Sequence, residues 1–110
     1  MELFVVADEM LMGQGVFGVF STSEKAKTYM KDFELRTGFR CAIKGLEVVA
    51  GEETCTRVCV AYTHDCIHDV YLLDGLYALA WDAYDATGDR GLIVEFVVDA
   101  PEKKRTVENF

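Results

Sequence analysis

Apolar residues along this chain fall into short dense runs, and the runs come twice in one order. Leu3-Phe4-Val5-Val6-Ala7 and Val16-Phe17-Gly18-Val19-Phe20 read as two strands of a hairpin, with Gly13-Gln14-Gly15 supplying the turn. Ala26, Tyr29, Met30 and Phe33 then recur at helical spacing, while Lys25, Lys27, Lys31 and Glu34 take the wet side. Ile43 to Ala50 returns as a third strand within residues 41–50. The second half runs Val58-Cys59-Val60-Ala61-Tyr62, then Val70-Tyr71-Leu72-Leu73, a helical run through Trp81, and the nearly continuous apolar strand Gly91 to Asp99. Strand, strand, helix, strand is thus predicted twice, with a period of about 50 residues.

Local punctuation supports these elements. Ser21-Thr22-Ser23-Glu24 reads as a capping box at the start of the first helix, and Gly38 as its left-handed stop. Asp74 is a good N-cap residue, which starts the second predicted helix there and closes it near Gly88. Gly51 to Thr56 is a short polar connector, and Pro101 ends the last strand.

The reading is an α+β fold forming one domain over 1–110. Tandem ββαβ repeats occupy 1–52 and 57–102, followed by a polar C-terminal tail at 103–110. A right-handed crossover places each third strand beside the first, order 2-1-3 within a repeat. Pseudo-twofold pairing of the repeats then gives a mainly antiparallel six-stranded sheet, or two apposed sheets, with two helices. Residues 15–26, Gly15-Val16-Phe17-Gly18-Val19-Phe20-Ser21-Thr22-Ser23-Glu24-Lys25-Ala26, resemble the strand-to-helix signature of small, uncharacterised bacterial and phage β-β-α-β domains. The resemblance covers residues 3–50 and, more loosely, 58–100; the second half departs from it at Asp74-Gly75-Leu76-Tyr77. It implies the fold and carries no activity.

Charge narrows the function classes. The chain carries a net −8, of which residues 1–52 hold −2, 53–102 hold −8 and 103–110 return +2. Direct nucleic-acid binding needs a basic stripe, so the balance favours a basic protein partner. No apolar window approaches the roughly 20 residues of a membrane span. Met1-Glu2-Leu3-Phe4 lacks a basic leader region, and four cysteines without a secretory signal read as reduced thiols, so the expected compartment is cytoplasmic.

Candidate chemistry is sparse. Gly13-x-Gly15-x-x-Gly18 is a literal dinucleotide fingerprint, but its third glycine lies inside a strand, where the motif requires a helix. Cys59, His64, Cys66 and His68, with Cys55 nearby, are the metal-like cluster, yet their spacing matches no zinc pattern. Cys66 with His64 or His68 and Asp65 or Asp69 supplies the residue types of a nucleophilic triad. Groups so close in sequence seldom converge, so no catalytic site, metal or cofactor is expected.

The unusual surface is the second helix. Leu76 to Trp81 run without a polar break, Trp81 aligns with the wet Lys27 of the first helix, and Asp65 to Asp89 hold six acids with no Lys or Arg. Large apolar residues are most often core, so a helix buried on two sides is one reading. The other is an aromatic-acidic docking face: Trp81, Tyr77 and Tyr84 as anchors, with Asp82, Asp85 and Asp89 steering a basic partner. The sequence therefore points to a small acidic non-enzymatic interaction module. The alternatives are a nucleic-acid-mimicking inhibitor of phage type and a Cys/His-loop metal-binding protein. A homodimer is compatible with the first reading.

Overall fold

The structure is a computed structural model and describes residues 1–9, 15–49, 56–88 and 91–107. It is α+β: β1 (Glu2–Asp8), β2 (Val16–Phe20), α1 (Ser23–Thr37), β3 (Cys41–Val49), β4 (Arg57–Asp65), β5 (Val70–Tyr77), α2 (Ala80–Thr87), β6 (Leu92–Val97) and β7 (Ala100–Thr106). One seven-stranded sheet has the order β2-β1-β3-β5-β4-β6-β7. Every neighbouring pair is antiparallel except β3 and β5, joined through Val48–Leu76 and Val49–Tyr77. The middle join is therefore between unlike strands, and the sheet has seven strands where six were expected.

Alternation along the strands divides the apolar residues between two faces. One face curls into a nearly closed barrel whose interior holds Leu3, Val5, Val16, Val19, Val58, Val60, Tyr62, Leu76 and Phe96, all at most 2% exposed. The opposite face carries two smaller clusters. Ala26 of α1 packs with Val6 and Phe20 beneath it, and Ala83 of α2 with Cys59, Ala61 and Ile93. In β6, Ile93 faces α2 while Val94 and Phe96 face the interior, so this strand is covered on both faces although it is not central.

The helix caps follow from single residues. Thr22, one position past the expected Ser21, is the α1 N-cap: its hydroxyl accepts from Lys25 N–H at 3.2 Å, and Glu24 makes no return bond to the cap. Gly38 ends α1 at φ 76°, in the left-handed region. The second helix is shorter than the sequence predicts. Asp74 to Tyr77 belong to β5, and Leu79, which lacks a side-chain cap, precedes α2. Asp74 is the extra residue of a β-bulge, because Ala61 faces Gly75 while Tyr62 faces Leu73.

The predicted tail also changes. The chain turns through Val98 and Asp99, the latter at φ 64°, and β7 returns along β6 with Val97 opposite Ala100. Pro101 therefore sits inside an edge strand and does not end one; at a sheet edge its missing N–H costs no ladder bond. Closure of the barrel runs through the same turn. Asp99 N–H donates to the Val19 carbonyl at 2.9 Å. The Asp99 carboxylate accepts from Ser21 N–H at 2.9 Å, the Ser21 hydroxyl at 2.7 Å and Lys25 Nζ at 3.1 Å. Gly18 belongs to this seam, since a Cβ there would stand 3.0 Å from the Pro101 Cβ.

Candidate functional site

The outer face of α2 is built from the strand beneath it upward. Cys59 and Tyr77 stand opposite each other in the β4–β5 ladder, and Ala61 and Ile93 extend that floor. Ala83, fully buried, fits α2 closely against it, and Tyr84 packs half-buried at the edge. A helix of eight residues has room for one inward stripe, which Ala80, Ala83 and Tyr84 fill. Trp81 is left outside at 60% exposure, its ring 6.5 Å from that of Tyr84 and stacked at 29°.

The three expected anchors and three expected orienting acids separate on this frame. Trp81 and Tyr84 form one aromatic pair on α2, with Asp85 exposed and Asp82 half-buried on the same helix. Tyr77 lies in β5 beside the helix; its hydroxyl donates to the Asp74 carboxylate at 2.6 Å. That bond, aided by burial, pushes the phenol up to about 12, so Tyr77 stays neutral. Asp89 lies outside the described residues. Leu79, 59% exposed immediately before α2, is an apolar contributor that the sequence reading left inside the helix. Its signal was the unbroken Leu76–Trp81 run, which the strand end at Tyr77 divides.

The Cys/His loop splits in two. Cys59 is buried beneath α2, whereas His64, Cys66 and His68 lie at the far end of the same hairpin. Cys59 to Asp65 spans six residues of strand, about 20 Å at about 3.3 Å per residue. Cys55 lies outside the described residues. At the tip each histidine has its own carboxylate: His64 Nε2 is 2.9 Å from Asp69, and His68 Nδ1 is 2.8 Å from Asp65. Asp65 also accepts from the N–H groups of Ile67 and His68, which fixes the turn. Among the described residues no three Cys, His or acidic side chains converge as metal ligands. The tip does bring Cys66 Sγ within 3.5 Å of His64 Nδ1, a convergence not anticipated from residues so near in sequence.

A broad cleft lies elsewhere, between α1 and the β6–β7 turn, lined by Phe20, Lys25, Thr28, Tyr29 and Asp99. In its wall Lys25 pairs with Asp99, while Asp32 pairs with Arg36 and Glu24 accepts from the Ser23 hydroxyl.

With this geometry in view, known proteins add no analogy. No family model, curated protein or solved structure matches the chain. The face of α2 therefore stands on its own chemistry. Among the described residues the buried side chains are apolar apart from the Cys59 thiol and the Tyr62 hydroxyl, which accepts from Val16 N–H at 3.4 Å, and no helix is long and apolar enough to cross a membrane. The chemical resources of α2 are thus exposed ring area, one exposed leucine and carboxylates. Such a surface can exclude water from a partner's apolar groups and attract cations around them.

Proposed function

We propose that this chain is a small, non-enzymatic interaction module that binds a basic protein partner through the face of α2. Trp81, Leu79 and Tyr84 supply the apolar contact, Tyr77 borders it, and Asp82 and Asp85 orient the partner's Lys and Arg side chains. The observation that carries this reading is the 60% exposed indole of Trp81, stacked on Tyr84 and set among carboxylates. An indole left in water gains most of its burial energy only when a second surface covers it.

In the same reading the two halves are a repeat, each with strand order 2-1-3, related by a twofold along the barrel axis. In support, β3 joins β5 while the turn after β6 approaches β2. Under that relation Trp81, second in α2, corresponds to the exposed Glu24, second in α1.

The test compares wild type with Trp81→Ala as baits for basic proteins, at low and high salt. The expected result is a partner retained by wild type, lost with Trp81→Ala, and only moderately weakened by salt. Capture indifferent to Trp81 removes the docking face. Capture indifferent to Trp81 but abolished by salt would favour charge mimicry of a nucleic acid instead.

A further inference from the structure

We propose that Cys66 is a nucleophilic thiol, served by His64 as base and Asp69 as orienting group, that exchanges with small cationic disulfides. The inference is independent of the docking face, which lies at the other end of the β4–β5 hairpin. Its ground is the linear arrangement at the tip: Cys66 Sγ to His64 Nδ1 at 3.5 Å, and His64 Nε2 to Asp69 Oδ1 at 2.9 Å. Nucleophile, base and orienting group within hydrogen-bond reach in this order are the signature of an activated nucleophile.

The protonation states follow from the partners. An ionised carboxylate only accepts, so Nε2 carries the proton toward Asp69 and Nδ1 presents its lone pair to the thiol. His64 is held above the usual imidazole range, first by the bond to Asp69 and then by Cys66. It is therefore a stronger base than an isolated histidine, and its cation favours a neighbouring thiolate. The ring is also positioned from the strand side, 5.1 Å from Tyr71 of β5.

The tip is open, which suits a reagent that needs no enclosing cleft. Cys66, exposed and outside any disulfide, passes its proton to His64 Nδ1, and the thiolate attacks one sulfur of R–S–S–R. A Cys66–S–S–R bond forms, the original S–S bond breaks, and the departing RS⁻ takes the proton from His64. Cys66 is oxidised and one R sulfur is reduced. Cys59, six residues of strand beyond the tip and buried, is too remote to resolve the mixed disulfide. The charge preference comes from the carboxylates of the tip. Asp65 and Asp69 lie within three residues of Cys66, held on His68 and His64, Asp65 is held below the usual carboxylate range chiefly by His68, and residues 65–74 contain no Lys or Arg.

The experiment treats the reduced full chain with cystamine, a dication, or with glutathione disulfide, an anion, at pH 7, following intact mass and mapping adducts by peptide. A half-cystamine adduct is expected on Cys66 about tenfold faster than on Cys41. Cys41 is the internal control, since burial, Glu34 and Asp8 push its thiol up. His64→Gln should slow the Cys66 reaction by about tenfold. Asp69→Asn keeps the side-chain shape and tolerates the left-handed backbone at φ 52°, and should slow it by a smaller factor. Cystamine should outpace glutathione disulfide at low salt, with the gap narrowing as salt rises. A Cys66 rate no greater than that of Cys41, or wild-type rates in both variants, overturns the assignment. Glutathione disulfide matching cystamine at low salt overturns the charge preference.

Discussion

The two helices cover the same sheet but use their aromatic residues in opposite ways. On α1, Tyr29 packs tilted against Phe20 at 5.1 Å, and Phe33 lies 4.4 Å from Phe17, so the rings join helix to strand. Thr22 and Gly38 close both ends of that fifteen-residue helix. On α2 the rings stack on each other along the outside, the N-cap is an uncapped leucine, and the helix spans eight residues. The first half also exposes Leu35 and Phe39, but beside Arg36 and Arg40, whereas Leu79 and Trp81 stand beside Asp82 and Asp85. Apolar exposure is thus common to both halves, and its charge setting distinguishes them. Caps at both ends and rings that reach the sheet hold α1, while α2 relies on Ala83 fitting its floor.

Substitutions can break or sharpen this contrast. The largest effect is expected from Phe20→Ala, which removes a ring 4% exposed beneath α1 and should cost about 3–5 kcal/mol in denaturant unfolding. A loss below about 1 kcal/mol would mean that α1 is not anchored through its rings. Next, Asp99→Ala should cost about 1–2 kcal/mol by deleting the acceptor for Ser21 and Lys25. Partial burial alone would raise the Asp99 carboxyl, but the Ser21 groups and Lys25 hold it below the usual 3.8. The wild-type advantage is therefore full above that value and fades as the pH falls through the lower folded-state one, which paired urea titrations would reveal.

Leu79→Asp provides the missing cap for α2 and should stabilise the chain by about 0.5–1 kcal/mol, while weakening partner capture. Stabilisation with undiminished capture would remove Leu79 from the docking face. The smallest effect on folding is expected from Trp81→Ala, within about 0.5 kcal/mol by thermal melting. A cost comparable to Phe20→Ala would make Trp81 a core residue and erase the contrast between the helices.

Much of the α1 half was legible because its signals are local. The dense apolar runs 3–7 and 16–20, the helical spacing of Ala26, Tyr29, Met30 and Phe33, and Gly38 act within a few residues of each other. The second half depends on distant partners. Asp74 and Gly75 have poor strand propensity and read as a helix start, but pairing with β4 draws them into a bulged ladder. Lys103, Lys104 and Arg105 read as a solvated tail, though charged residues suit an exposed edge strand, and Arg105 pairs with Glu95 across from it at 3.1 Å. The sequence left Trp81 open between core and docking face, and its 60% exposure follows from a helix of eight residues whose inward side Ala83 occupies. At the hairpin tip, the turn that brings Asp69 back toward His64 has no counterpart in the spacing of the letters.

The bonds that fasten Asp99 to Val19, Ser21 and Lys25 connect residues nearly eighty positions apart. Emerging from a ribosome, β1, β2 and α1 must wait until Asp99 has been made before that lock can engage. Until then, the open border of β2 lacks its cover, so final tightening of the molecule is a late event controlled by its closing hairpin.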